Sequence, residues 1–222
     1  MAENPAAREA PQTPPSGADR ILDAFWEYRL EHGCPPASAY VLCKQLGLSE
    51  REFYQHFASL DAIESVTWER LITATEATLR ADADYAGYPA RQKLLAFFYT
   101  YFEHALGQRS RLLAAFPRFK PGPVPCPLDR ARKAFVAWAE TVVDEAIASQ
   151  EFADRKQLSE RYPDLLFGLF WYVADFNLRD RSDGFQDSDA MVEKSVNTFC
   201  DGAGNQFLDS AFDLAKFVLG RR

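Results

Sequence analysis

From Asp19 onward, apolar residues recur at steps of three and four. Ile21, Leu22, Phe25 and Tyr28 share one face, which predicts a helix that stops at Gly33, ahead of Pro35 and Pro36. Ser38 is placed to cap a second helix whose inward positions are Val41, Leu42 and Leu46. Gly47 permits the turn that follows, because glycine tolerates a positive φ. Ser49 with Glu52 three residues on is the pattern of a capping box, and Phe53 and Phe57 form the buried face of the third helix. Ser59 opens a fourth, longer helix with Ile63, Val66, Arg70, Leu71 and Ala74 on one stripe. Phe25, Leu42, Leu46, Phe53 and Phe57 are expected to meet in one small core.

After Gly87 and Pro89 comes an aromatic helix over about 90–107, then a short one around 112–116. The proline-rich stretch from Pro117 to Pro127 predicts a rigid loop, since proline fixes φ and removes donors. Helices are expected from Leu128 to about Ala153, from Pro163 to the RDRSDG break, and from about Ser188 to Leu219. Within the last of these, Asp201-Gly202-Ala203-Gly204-Asn205 marks either a kink or a place where a partner helix approaches closely. No segment alternates with period two, so the fold class is all-α. Residues 1–17, rich in Ala and Pro, are expected to be a disordered tail. A headpiece over 18–64 and a larger helical body over 65–222 follow.

Composition narrows the function classes. Aliphatic and aromatic residues make up 47% of the chain, which supports a sizeable core. No apolar run reaches the roughly 18–20 residues needed to cross a bilayer, and the N-terminus lacks the apolar core of a signal peptide. A cytoplasmic protein without a membrane partner is therefore expected. Cys34, Cys43, Cys126 and Cys200 are scattered, have no CxxC pairing and no histidine at ligand spacing, so no metal site is expected. GxSxG, HExxH and phosphate-loop patterns are absent, which points away from an enzyme and from a cofactor.

Chemistry concentrates between Ser38 and Phe57, where two short helices joined at Gly47 can present the second to a DNA major groove. From Ile21 to Ile63 the chain resembles the headpiece of the TetR family of repressors. ILDAFWEYRLEHGC is similar to the family's opening helix, LCKQLGLS to its helix-turn, and FYQHFASLDAI to its signature. The resemblance implies a homodimer formed through the last two helices, double-stranded DNA as partner, and a small apolar or amphipathic ligand in the body. DNA-binding candidates are Ser38, Lys44, Ser49, Arg51, Tyr54, Gln55 and His56. Lys44 and Arg51 would meet phosphates. Tyr54 and His56 would either do the same or stitch the third helix to the first. Gln55 would reach a base edge or remain solvated, and Ser38 and Ser49 would cap and could donate to a phosphate as well.

Charge complicates this picture. The net charge is −7, and from Asp19 to Arg80 the basic residues are only Arg20, Arg29, Lys44, Arg51, Arg70 and Arg80. Glu50-Arg51-Glu52 stands where the family usually offers small or basic residues, Ala37 where a phosphate-contacting Thr is frequent, and Leu60 where a basic residue is common. Carboxylates facing phosphates are repulsive. A rival reading therefore keeps the TetR-like fold but drops DNA binding, leaving a carrier of lipid or another small molecule. In the body, Phe98, Tyr101, Phe102, Trp138, Trp171 and Tyr172 are expected to enclose an apolar cavity. His104 would contact the ligand or be a satisfied structural histidine. Asp175, polar in a largely buried helix, needs a partner: a ligand, a dimer mate or another side chain.

Overall fold

A computed structural model describes residues 16–204, and among them the chain forms helices and turns without any strand. The protein is all-α. It divides into two compact units, one ending at Ile63 and the other beginning at Glu64.

The first unit holds α1 (Gly17–His32), α2 (Ala39–Leu46) and α3 (Glu50–His56). Local chemistry sets their ends. Ser16 Oγ accepts the Asp19 N–H at 3.2 Å and donates to the Asp19 carboxylate at 2.7 Å. This reciprocal cap starts α1 at Gly17, two residues before the expected start at Asp19, because it uses Asp in place of the Glu or Gln that usually marks such a box. Residues 1–15 of that expected tail lie outside the described residues. Gly33 at φ 72° and Gly47 at φ 67° adopt the left-handed conformation that stops α1 and α2. Beyond Gly47, the Leu48 N–H donates to the Cys43 carbonyl at 2.9 Å and fixes the turn. Three helices then close on Phe25, Trp26, Leu42 and Phe53, none of them measurably exposed, with Phe57 at 4%. Burial of each such side chain contributes roughly 1.5–3 kcal/mol. Leu46 is only half-buried.

The fourth helix, α4 (Leu60–Ala81), begins where the Ala62 N–H donates to Ser59 Oγ at 3.2 Å. Its buried stripe is Ile63, Thr67, Trp68, Leu71, Ile72, Thr75 and Leu79, which keeps the expected Ile63 and Leu71, whereas Arg70 and Ala74 are exposed. The expected stripe was rotated because two threonines read as polar. Thr75 is buried all the same, its hydroxyl donating to the Leu71 carbonyl at 2.8 Å.

The second unit continues with α5 (Ala90–Leu106), α6 (Arg109–Ala115), α7 (Asp129–Ala148), α8 (Tyr162–Arg179) and α9 (Gln186–Gly204). Its core is ring on ring. Phe97 of α5 stacks on Trp138 of α7 with centroids 4.1 Å apart, and Phe135 stacks on Phe170 of α8 at 4.9 Å. Such pairs contribute about 0.5–1.5 kcal/mol each beyond burial. Ion pairs join the helices around this core: Arg91 to Asp201 at 2.6 Å, Arg132 to Asp164 at 2.5 Å, and a buried Lys93 to Glu145.

Two boundaries depart from expectation. α7 ends at Ala148 rather than near Ala153, because Gln150 turns at φ 63° and the Phe152 N–H folds back onto the Ala146 carbonyl at 3.0 Å. That reversal buries Phe152 against Tyr162 and Phe199. α9 runs unbroken through Gly202 to Gly204, so the glycines up to there mark no break in the helix. A Cβ on Gly204 would stand 2.8 Å from the Glu151 carbonyl oxygen, and the Ala203 carbonyl accepts the Ala153 N–H at 3.0 Å. The glycine admits the backbone of the α7–α8 connection. The expected continuation to Leu219 lies outside the described residues.

Candidate functional site

In the first unit, burial of the apolar residues on α2 and α3 leaves one polar outer surface. Lys44 and, four residues before it, Tyr40 share the outer side of α2, and Tyr40 is 59% exposed. On α3, Arg51, Tyr54 and Gln55 are all exposed at helical spacing, with Tyr54 at 57%. Tyr54 packs edge-on against the buried Phe53, their centroids 5.2 Å apart, so its ring has a fixed base and an outward hydroxyl end. Tyr40 is a candidate the sequence reading passed over. Its signal was the i, i+4 relation to Lys44.

The serines differ. Ser49 Oγ accepts the Glu52 N–H at 3.2 Å, while the Glu52 carboxylate accepts the Ser49 N–H at 2.8 Å and its hydroxyl at 2.7 Å. Ser38 occupies the cap position of α2, but its hydroxyl makes no capping bond, contrary to expectation. Its extended backbone starts the helix without side-chain help. Backbone and then hydroxyl hydrogen bonds from Ser49 hold the Glu52 carboxyl below the usual glutamate range. The Glu52 carboxylate caps the helix start yet stays exposed, so Glu50 and Glu52 both present negative charge in that turn. Burial, followed by the nearby charges of Glu50 and Glu52, pushes the Cys43 thiol up, so it is an unreactive core thiol. His56 is exposed yet rests against α1: a Cβ on Gly17 would lie 2.7 Å from its Nε2. Its ring thus lies where α3 meets α1.

In the second unit the expected aromatic set is not gathered around one cavity. Phe98 and Trp138 belong to the ring core, where the Trp138 indole N–H donates to the Tyr85 hydroxyl at 3.0 Å. Trp171 and Tyr172 lie on another side, both edge-on to Phe119, and the Trp171 N–H donates to the Pro117 carbonyl at 2.9 Å. Asp175 finds its partners within the chain: the Phe119 N–H at 3.2 Å and Arg179 Nε at 2.7 Å. His104 Nε2 lies 3.0 Å from Thr78 Oγ1, which gives it a structural partner between α5 and α4. Only Tyr101 and Phe102 of the set border a cavity of about 180 Å³. Leu112 from α6 and Phe116 just after it, Leu178 from α8 and Phe185 from the α8–α9 turn complete its apolar wall. These four escaped the sequence reading because they come from separate elements and share no spacing. Close packing of flat rings explains the partition: six-membered faces that stack leave no room for a ligand between them.

The comparisons with known proteins agree with this architecture. Residues 93–218 match the family described as tetracyclin repressor-like, C-terminal domain. No curated protein sequence matches the chain. Among solved structures, a protein of unknown function from Rhodococcus sp. RHA1 shares 20% identity at a TM-score of 0.56, over 89% of this chain and 100% of that one. The fatty acid degradation regulator FadR from Bacillus halodurans shares 15% identity at a TM-score of 0.58, over 83% and 98% of the respective chains. At such identities the likeness establishes the shared fold. Among the described residues no helix is long and apolar enough to cross a membrane. With more than half its length matched by that one domain, and with an all-α fold throughout the described residues, the chain belongs to the TetR family of transcriptional regulators.

Proposed function

We propose that the protein is a homodimeric regulator that binds operator DNA through residues 38–57 and responds to a small ligand held in its body. The observation that carries this reading is the outer surface of α2 and α3. Tyr40, Lys44, Arg51, Tyr54 and Gln55 are exposed together, while every large apolar residue of α3 turns inward. A surface of that kind offers cations and hydroxyls to phosphates and an amide to a base edge.

Dimerisation is supported by α8. Leu165 at 52% and Tyr172 at 41% exposure, with the half-buried Leu169 and Phe176, form an outward apolar stripe. Two copies of such a stripe satisfy each other across a two-fold axis. Control would work by population shift. A ligand that prefers one arrangement of α4 changes the spacing of the two headpieces, which must suit half-sites about 34–36 Å apart. Selection of genomic fragments by the purified protein, at low and moderate salt, tests the reading. Recovery of one recurring palindromic sequence is the expected result, and recovery of no preferred fragment at either salt would overturn it.

The rival reading, a TetR-like carrier without DNA binding, draws on Glu50, which remains exposed in the first turn of α3. Ligand binding with no DNA retention in that selection would favour it.

A further inference from the structure

We infer that the cavity between α5, α6 and the α8–α9 turn is a binding site for a single-ring aromatic molecule that is neutral or positively charged and carries one hydrogen-bonding group. This rests on the reading of the body as a ligand sensor and adds where the ligand sits and what its chemistry is. Size gives the first constraint. The cavity measures about 180 Å³. Drug-sized ligands occupy pockets of roughly 300 Å³ and more. An engineered apolar cavity of about 150 Å³ accepts benzene, so one substituted ring fits here and a long acyl chain does not.

The wall gives the second. Phe102, Phe116 and Phe185 offer aromatic faces and edges, with Leu112 and Leu178 filling between them. Phe185 is held in an unusual way. It has φ 61°, a conformation that bulky residues avoid, and the Arg109 guanidinium sits 4.7 Å from its ring centroid. Arg109 is anchored in turn by donating to the Leu178 carbonyl at 2.9 Å. A strained residue held by a neighbouring cation and facing a cavity is a feature of ligand clamps.

Tyr101 gives the third. It is 3% exposed and borders the cavity, and edge contact with Phe170 at 4.8 Å fixes its ring. Its phenol borders the cavity, so a polar group on the ligand can hydrogen-bond the hydroxyl. Burial holds this phenol well above its ordinary range, so it stays protonated and can donate as well as accept.

Charge at the mouth gives the fourth. Two exposed carboxylates, Glu103 and Asp189, border the cavity against one guanidinium, Arg109, which also donates to the Leu178 carbonyl. The Tyr99 phenol beside them is pushed up by burial and then by Glu193 and Asp189, which reports the negative local field. Carboxylate ligands are disfavoured there, and ammonium groups are welcome.

The test uses the full-length protein with benzylamine, benzyl alcohol and benzoate, read by titration calorimetry and by thermal melting. Benzylamine and benzyl alcohol should bind one per chain and raise the melting temperature. Benzoate should bind at least about tenfold more weakly. Tyr101→Phe, which removes one oxygen and keeps the ring, should weaken benzyl alcohol by about three- to tenfold. Asp189→Asn, at an exposed position, should narrow the gap between benzoate and benzylamine. Equal binding of benzoate, unchanged affinity in Tyr101→Phe, or no binding of any probe would each overturn the inference. The same samples, followed by anisotropy on the selected DNA, separate this result from the regulator reading. Probe binding that leaves DNA affinity untouched upholds the site and removes the sensor role. Retention of DNA without probe binding upholds the regulator and removes the site.

Discussion

The imidazole of His56 lies so near Gly17 that a methyl group on that glycine would stand 2.7 Å from Nε2. The end of α3 is thereby fitted onto the start of α1. Gly17→Ala should displace the ring rather than unfold the headpiece, because the imidazole is exposed and can swing outward. Alanine also favours a helix by up to about 1 kcal/mol over glycine. Unfolding free energy should stay within about 1 kcal/mol of the parent, while the His56 ring signals shift in proton NMR. Unmoved ring signals would contradict the contact.

Acid sensitivity should centre on Asp180. Its carboxylate accepts the Ser182 N–H at 2.8 Å, the Ser188 N–H at 2.9 Å and the Ser188 hydroxyl at 2.6 Å. Burial opposes its ionisation, but these bonds outweigh burial and hold the carboxyl well below the ordinary aspartate value of 3.8. A pKa lowered by folding adds stability above the unfolded value, and this is lost as the pH falls toward the folded one. Thermal melts should therefore decline below about pH 4, and Asp180→Asn should flatten that decline while lowering the melting temperature at neutral pH. An acid branch identical in the variant would assign the sensitivity elsewhere.

DNA affinity should respond differently to the two glutamates of α3. Glu50→Lys exchanges an exposed carboxylate for a cation, so it should tighten binding and steepen the salt dependence by about 0.9 per added phosphate contact. Glu52→Lys should instead lower headpiece stability, since it removes the acceptor of the Ser49 N–H and hydroxyl. Arg51→Ala should weaken binding and flatten the slope by a similar amount. Fluorescence anisotropy at two salt concentrations, with melts alongside, distinguishes these outcomes. If Glu50→Lys and Arg51→Ala both leave affinity unchanged, α3 is not the DNA-reading element.

Assembly should fail when the α8 stripe is charged. Leu165→Glu or Tyr172→Glu places a carboxylate in an apolar contact without touching the ring core, since both side chains are exposed. Sedimentation at micromolar concentration should show the parent as a dimer and the variants as monomers with unchanged helical content. A parent that sediments as a monomer would remove the proposed interface.

What could be read from the chain follows a physical divide. Gly33, Gly47 and the Ser49–Glu52 box act within four residues of themselves, so the stops of α1 and α2 and the start of α3 were legible. The reversal after α7 was not, because Gln150 adopts φ 63° in order to bury Phe152 against residues from α8 and α9. The stripe of α4 was misread where Thr67 and Thr75 count as polar yet sit in the core. On the headpiece surface, burial of Phe53 and Phe57 leaves Arg51, Tyr54 and Gln55 exposed, as their spacing predicts. In the body, periodicity marks which residues are apolar but not which ring stacks on which. The choice between a packed cluster and a cavity is made by contacts among α5, α7 and α8.

The attachment of the proline-rich connection to α8 has a practical side. Pro117 and Phe119 are fastened by the Trp171 indole and the Asp175 carboxylate, and the chain re-enters a helix at Cys126–Leu128. Between these anchors, Lys120, Pro121, Gly122 and Pro123 are all exposed. Lengthening a surface loop costs only about 0.6 kcal/mol per doubling. With both flanks held, this stretch is a natural insertion point for a tag or a fluorophore, one that leaves the helices of the second unit as they are.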